Sequence, residues 1–369
     1  MRVVVAPDSF GGTLSAVEAA TAVADGWHEV APDDDVVLLP LSDGGPGFVD
    51  VLGASLGGDR RPCTVCGPLG ASTAAEVLVV GDVAYVEAAH AAGLHLLDVN
   101  ERDPRRTTTF GVGELVTVAA AGVNRVVVGL GGTATNDGGA GLWAALGAEP
   151  SALLRAGGGA LVDLPEVFPP HPLPAGVVVA TDVDNPLLGP NGASAVYGPQ
   201  KGAGRAAVLD LDDALRRWAE LVEAVTGWQG LRDQPGAGAA GGLGFGLLAL
   251  GAAQASGFGV VADALGLAGR LAGADLLVTG EGSFDSQSLR GKVVSGAAAA
   301  AQQAGLPCIV IAGQVAVGRQ DAAAAGVDDA YAVADTLGSA DAALTAGAAG
   351  VRETAARVAR LWSTRPARP

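Results

Sequence analysis

Short runs of β-branched residues recur along this chain. Each closes on a Gly, Asp or Ser loop, and helical patterns follow. Val3 to Ala6 runs into Pro7-Asp8-Ser9-Phe10-Gly11-Gly12, and Ser15-x-x-Glu18 then has the form of a capping box that opens a helix. Val36 to Leu39 ends in Ser42-Asp43-Gly44-Gly45. Arg125 to Val128 ends in Gly129 to Gly141, Val177 to Ala180 in Thr181 to Pro186, and Asp275 to Val278 in Thr279 to Asp285. Cys308 to Ile311 and Ala330 to Val333 read as two more strands, and Asp341 to Leu361 as one closing helix. Strand, loop and helix at both ends of the chain specify an α/β fold with a doubly wound, Rossmann-like parallel sheet. In the middle, Glu76 to Val80 and Val83 to Glu87 flank Gly81-Asp82, which predicts a hairpin. With the Gly-rich segments around it, this indicates a second, mixed α/β domain inserted into the first. The expected division is residues 1–66 plus 262–369 against 67–261.

Composition narrows the partners. The formal charge is −17, which disfavours nucleic acid and anionic membranes. The uncharged stretch Pro235 to Ala262 is too rich in glycine for a spanning helix. Three cysteines, Cys63, Cys66 and Cys308, suit a reducing cytoplasm, and Cys63-x-x-Cys66 lacks the second pair that a zinc site needs.

Ligands of open parallel sheets bind outside the carboxyl ends of the strands. The loops expected there carry acids and amides: Asp8-Ser9, Asp43-Gly44-Gly45, Asn136-Asp137, Asp182-x-Asp184-Asn185 and Glu281-Gly282-Ser283-x-Asp285. One such loop is an ordinary turn or helix cap; five together indicate a polar cleft. Clustered carboxylates without matching bases call for a cation such as Mg²⁺. The chain has only two lysines, Lys201 and Lys292, against twenty arginines, and both sit in Gly-flanked segments. A lysine is a compact point charge suited to phosphate. Gly129 to Asn136 offers backbone N–H groups to an anion, and Gly129, Gly131 and Ala134 also match a dinucleotide fingerprint, a weak signal by itself.

Seven segments in order resemble the glycerate kinase family. They are Pro7-Asp8-Ser9-Phe10, Asp43-Gly44-Gly45, Gly131 to Gly139, Asp182 to Leu187, Gly198-Pro199-Gln200-Lys201-Gly202, Gly238 to Gly244, and Thr279-Gly280-Glu281-Gly282-x-x-Asp285-x-Gln287-Ser288-x-x-Gly291-Lys292. The resemblance implies a cytoplasmic kinase with its active site in an interdomain cleft. It would phosphorylate D-glycerate from ATP with Mg²⁺, at the 2-position rather than the 3-position; a homodimer is left open. Two departures stand out: Gly11 where the family has Lys, and Pro46 and Phe48 where it has Glu and Thr. A kinase for another small hydroxy acid, or a non-catalytic ligand-binding relative, is the alternative.

On this reading the catalytic candidates are Asp8, Asp43, Lys201, Asp285 and Lys292. Substrate and phosphate contacts fall to Ser9, Gly44, Gly45, Gly131, Gly132, Thr133, Thr135, Asn136, Asp137, Gln200, Gly238, Gly241, Gly242, Gly282 and Ser283. Asp182, Asp184 and Glu281 are the metal candidates.

Overall fold

The structure is a computed structural model that describes residues 1–173, 175–289 and 292–363. Gly291 of the last resembling segment and the polar tail after Ser363 lie outside the described residues. Among those residues the strands are β1 (Arg2–Val5), β2 (Asp35–Leu38), β3 (Asp59–Cys66), β4 (Ser72–Val80), β5 (Val83–Glu87), β6 (Arg125–Gly129), β7 (Gly176–Ala180), β8 (Ala253–Ala255), β9 (Leu276–Phe284), β10 (Cys308–Val315) and β11 (Asp329–Ala332). Two compact units hold them. One comprises Met1–Asp43, Asp50–Leu56 and the chain from Phe258 onward; the other comprises Gly44–Val49 and Gly57–Gly257.

The first unit has a wholly parallel sheet in the order β2-β1-β9-β10-β11. Counted within the unit this is 2-1-3-4-5, the doubly wound order whose switch point lies between β1 and β9. Its strands are short and apolar, with Val3, Val5, Leu276, Val278, Ile309 and Ile311 buried between helical layers. The expected capping box forms: Ser15 Oγ accepts from the Glu18 N–H, and the Glu18 carboxylate accepts from the Ser15 N–H. It starts helix Ala16–His28, which packs on helix Ala348–Trp362. The crossing is close: a Cβ on Gly26 would stand 2.1 Å from the Arg352 carbonyl oxygen. The single closing helix expected over Asp341 to Leu361 is two, Ala340–Ala346 and Ala348–Trp362. Gly347 breaks it at φ 52° and ψ −126°, a conformation open essentially to glycine alone.

The second unit has a mixed sheet in the order β3-β4-β5-β6-β7-β8. The predicted hairpin is β4 and β5, joined through Gly81 and Asp82, and β3 pairs antiparallel on its outer side. β5 to β8 are parallel. Helix Arg205–Thr226 buries Leu211, Ala214, Leu215, Trp218, Ala219 and Val222, a single stripe at helical spacing, and stops at Gly227 in the left-handed conformation. Trp218 meets Trp143 edge to face at 5.2 Å, and each indole finds a carbonyl, Gly138 and Gly246 respectively. Cys63 and Cys66 lie on β3 as free thiols. No helix among the described residues is long and apolar enough to cross a membrane.

The stretch Pro235 to Ala262 folds as a kinked helix Ala239–Leu248, β8 and the start of helix Gly257–Ala264. Ala240, Gly241 and Gly242 are all left-handed, with φ of 53°, 71° and 85°. A Cβ on Gly241 would lie 1.9 Å from the Thr135 carbonyl oxygen, whereas Gly251, at φ 86°, faces open space. Gly251→Ala should therefore cost only the left-handed penalty, about 1–2 kcal/mol, read as the shift in urea midpoint. Gly241→Ala should cost at least twice as much or prevent folding, because backbone must move as well.

Candidate active site

The loop after β1 meets the carboxyl half of β9 at the switch point of the first unit; β9 runs on through Glu281, Gly282 and Ser283, paired with β10, where the sequence reading expected a loop. The Asp8 N–H donates to Gly280 O at 2.8 Å, and the Thr279 hydroxyl donates to Ala6 O at 2.8 Å. Glycine is required for this approach. A Cβ on Gly280 would stand 2.1 Å from Ile311 O, and one on Gly282 3.0 Å from the Gly11 nitrogen. A cavity of about 390 Å³ opens here, with Asp8, Ser9, Gly11, Glu281, Lys292 and Gln314 in its wall. A larger groove, about 900 Å³, runs along helices Ala16–His28 and Ala348–Trp362, but no strand-end loop lines it.

Charge in the smaller cavity is unbalanced. Burial and the neighbouring Asp43 carboxylate push the Asp8 carboxyl up to about 7, against the pull of the Ser9 N–H and Lys292. Burial likewise pushes Glu281 up to about 7, against a hydrogen bond from Ser288 and the charge of Lys292. Among the described residues Glu281 Oε1 is buried without a hydrogen-bond partner. Lys292 is half-buried and stands at the N-cap position of helix Val293–Gln303, its side chain making no capping hydrogen bond. Asp285 is a turn residue: its Oδ1 accepts from the Gln287 N–H at 2.8 Å. Ser283 is exposed.

The second unit gathers another set. Lys201 is 2% exposed, at the end of the turn Pro199–Lys201, and Gln200 beside it is exposed. Its ammonium donates to Thr135 O at 2.6 Å and the Thr133 hydroxyl at 3.4 Å. Burial pulls the Lys201 ammonium down to about 7, offset in part by Asp137. The Asn136 amide donates to Ser194 Oγ at 2.9 Å, while Asn136 Oδ1 and Thr135 Oγ1 are buried without partners among the described residues. Asp137 is wholly buried and accepts from the Thr109 N–H and hydroxyl and from the Gly139 and Gly141 N–H groups. Those four donors tie the loop to the helix Ala140–Ala145 and leave Asp137 a structural role. Because that helix starts well beyond Ala134, the dinucleotide fingerprint at Gly129 lacks its strand–turn–helix geometry. Gly238, Gly241 and Gly242 belong to the left-handed segment that packs on Thr135 to Gly138, with Gly241 O accepting from the Gly138 N–H at 3.0 Å.

The stretch Gly44–Val49 docks on this unit through packing. A Cβ on Gly131 would meet Gly45 Cα at 2.5 Å, one on Gly132 would meet Pro46 Cγ at 2.4 Å, and one on Gly44 would meet Ala180 O at 2.7 Å. Glu87, at the carboxyl end of β5, is 3% exposed and accepts from the Gly47 N–H at 3.0 Å and the Val49 N–H at 3.5 Å. Sequence reasoning passed over Glu87, although an acid closing an apolar strand at the sheet's carboxyl edge is a readable signal. His90 stands 3.8 Å from Glu87 and has the Glu76 carbonyl at 3.4 Å, a structural setting.

A kinase site calls for a divalent cation with oxygen ligands. Among the described residues no three carboxylate, imidazole or thiol groups cluster to hold one. Of the expected metal residues, Asp182 accepts from the Ser256 hydroxyl and the Gly257 N–H, and Asp184 is exposed; both belong to the second unit. Glu281, in the first, fits a cation by itself, through its unpartnered oxygen and its crowding by other carboxylates. Magnesium commonly takes one or two protein carboxylates and fills its shell with water and phosphate.

Asp8 holds its proton to about pH 7 when folded but releases it near 3.8 when unfolded. Over that window the unfolded chain binds fewer protons, so stability falls as pH rises. The melting temperature of the ligand-free protein should drop between about pH 4 and pH 7, and Asp8→Asn should flatten part of that drop.

Comparison with known proteins shows the family. The sequence profile described as "Glycerate kinase family" matches residues 3–363. Glycerate 2-kinase of Escherichia coli is 40% identical over 353 residues, covering 92% of each chain, and glycerate kinase of Bacillus subtilis is 44% identical over 328 residues, covering 85% of each. A solved structure from Salmonella typhimurium, with the provisional name glycerate kinase 2, superposes with a TM-score of 0.80 at 40% identity over 98% of each chain. With the fold and nearly the full length matched, the chain is a kinase that belongs to the glycerate kinase family.

Proposed function

We propose that this protein transfers the terminal phosphoryl group of ATP to the 2-hydroxyl of D-glycerate, giving 2-phosphoglycerate and ADP. The observation that carries the reading is the carboxylate-and-lysine cavity at the β1/β9 switch point, in a chain 40% identical to a glycerate 2-kinase. The glycerate oxygen forms its bond to the γ-phosphorus as the bond from that phosphorus to the bridging oxygen breaks. Asp8 takes the hydroxyl proton. A carboxylate held up near 7 is a matched acceptor at neutral pH, and such assistance is worth about 10²–10⁴ in rate. Lys292 offsets charge on the transferred group. Glu281 would hold Mg²⁺, which when bound neutralises phosphate charge. The reading puts the reaction in the cytoplasm, where the free thiols of Cys63, Cys66 and Cys308 persist.

One observation favours a second reading. Gly11 stands in the cavity wall at φ 55° with nothing among the described residues within 4 Å of where its Cβ would be. That open space suits an acceptor different from glycerate, another small hydroxy acid.

Phosphorus-31 NMR of a mixture of protein, ATP, Mg²⁺ and D-glycerate should show 2-phosphoglycerate. A 3-phosphoglycerate signal would move the attack to the other hydroxyl, and turnover of a different hydroxy acid alone would favour the second reading. Asp8→Asn should lower kcat by about 10²–10⁴ with the fold intact. Normal turnover in that variant would remove Asp8 as proton acceptor.

A further inference from the structure

The cavity at the switch point has two kinds of wall, both within the first unit. Over β1 and β9 the wall is polar and carries Asp8, Ser9, Glu281 and Lys292. The other wall is apolar. Val333 follows β11 directly, Ala343 and Leu344 lie on helix Ala340–Ala346, and Val351 lies on helix Ala348–Trp362. Leu14 adds to the apolar lining from the loop after β1. Sheet order sets the span between the walls. β10 separates β9 from β11, and neighbouring strands lie about 4.8 Å apart, so the two walls rise from strands about 10 Å apart. Between them β10 contributes Gly313 and the exposed Gln314.

The apolar wall is more than the edge of the core. Val333 and Val351 are buried, but Leu344 beside them is 59% exposed. Gly347 ends the helix that carries Leu344 and itself lines the cavity, with nothing among the described residues within 4 Å of its Cβ position. It leaves bare backbone next to the leucine. A volume of about 390 Å³, with an apolar wall facing a few polar groups, has the make-up of a small-molecule site.

Phosphotransfer brings together D-glycerate, a metal ion and ATP. The acid, the metal, the triphosphate and the ribose are charged or polar, and only the purine base has apolar faces. Asp8, Glu281 and Lys292 serve the acceptor hydroxyl, the metal and the terminal phosphate on the reading above. A glycerate molecule is shorter than the span between β9 and β11, and leucine and valine offer it nothing. ATP is long enough to reach both walls, and its two ends match them in polarity.

We infer that the apolar wall is the subsite for the purine base of ATP, with Leu14, Val333 and Leu344 in contact with the ring and the terminal phosphate toward Glu281 and Lys292. This rests on the phosphotransfer reading for the identity of the ligand and on the first unit alone for the site.

Photolabelling with 2-azido-ADP, whose reactive group is on the base, is the test. Trypsin cuts after Lys and Arg, so residues 320–352 form one peptide, which holds Val333, Ala343, Leu344 and Val351. The glycine-rich loops of the second unit, Gly131 to Asn136 and Gly238 to Gly244, fall in peptides 126–155 and 233–270. Irradiation with Mg²⁺ present should label peptide 320–352, and excess ATP should remove the label. Label confined to any other peptide, label that ATP does not displace, or no label at all overturns the assignment. Leu344→Asp changes an exposed side chain, and a thermal melt checks that the fold is kept. It should raise the Kd for ADP about tenfold or more by calorimetry and leave that for D-glycerate within about threefold. An unchanged Kd for ADP also overturns the subsite. Phosphoglycerate formed while the label lies on 126–155 or 233–270 keeps the proposed function and loses the subsite. Displaceable label on 320–352 with no phosphoglycerate keeps the subsite and loses the proposed function.

Discussion

At the carboxyl edges of both sheets backbone meets backbone, at distances that leave no room for a Cβ. Added Cβ atoms would stand 2.1 Å from Ile311 O at Gly280, 1.9 Å from Thr135 O at Gly241 and 2.7 Å from Ala180 O at Gly44. Loops that approach so closely shield the side chains they carry. Lys201, Asp137 and Asn136 are polar residues on short Gly-flanked loops, yet each is almost or wholly buried. The glycine content therefore does more than relax turns. It lets polar loops pack like core, and that packing moves the Asp8, Glu281 and Lys201 ionisations toward neutrality.

Hydrogen-bond satisfaction separates scaffold from site among these buried groups. Asp137 has four donors on its two oxygens, so its burial is repaid locally and its work is to hold a loop to a helix. Glu223 is similar, paired with Arg232. Among the described residues Glu281 Oε1, Thr135 Oγ1, Asn136 Oδ1 and Arg102 Nε have no such partner. Their desolvation is uncompensated among the described residues, and a ligand or ion is the natural compensation.

Much of the fold was legible because its signals are local. The parallel strands showed as short β-branched runs, the first helix through Ser15 and Glu18, and the hairpin through Gly81-Asp82. The rule that ligands sit at carboxyl edges pointed to Asp8 and Glu281, and the structure puts both in the wall of one cavity, Glu281 on β9 itself. Three-dimensional features were not legible. Nothing local marks Arg102 as a neighbour of the Gly132 loop, since the contact runs through Leu94. Nothing in Ala240 announces a left-handed residue, because the conformation is imposed by the packing of Gly241 on Thr135. The break at Gly347 was hidden by an alanine-rich pattern that favours one continuous helix. Asp182 looked like a metal residue from its acidic loop, and its commitment to Ser256 and Gly257 appears only when β8 is brought beside β7.

The two departures from the family pattern differ in physical kind. Pro46 lies against Gly132, Phe48 meets Tyr85 edge to face at 6.0 Å, and Glu87 collects the Gly47 and Val49 N–H groups. The path of that loop is thus set by apolar packing and a carboxylate from β5, and an acid at position 46 is not needed to shape it. Gly11 makes no comparable contact, and its left-handed backbone would tax any longer side chain placed there by about 1–2 kcal/mol. Its effect is therefore one of vacated space and a missing charge in the cavity wall, beside Asp8 and Glu281. Lys292 is then the lysine left to face those carboxylates, and it lowers the proton affinity of both. A difference in acceptor preference from other members of the family would accordingly originate at Gly11, with the backbone of both loops unchanged.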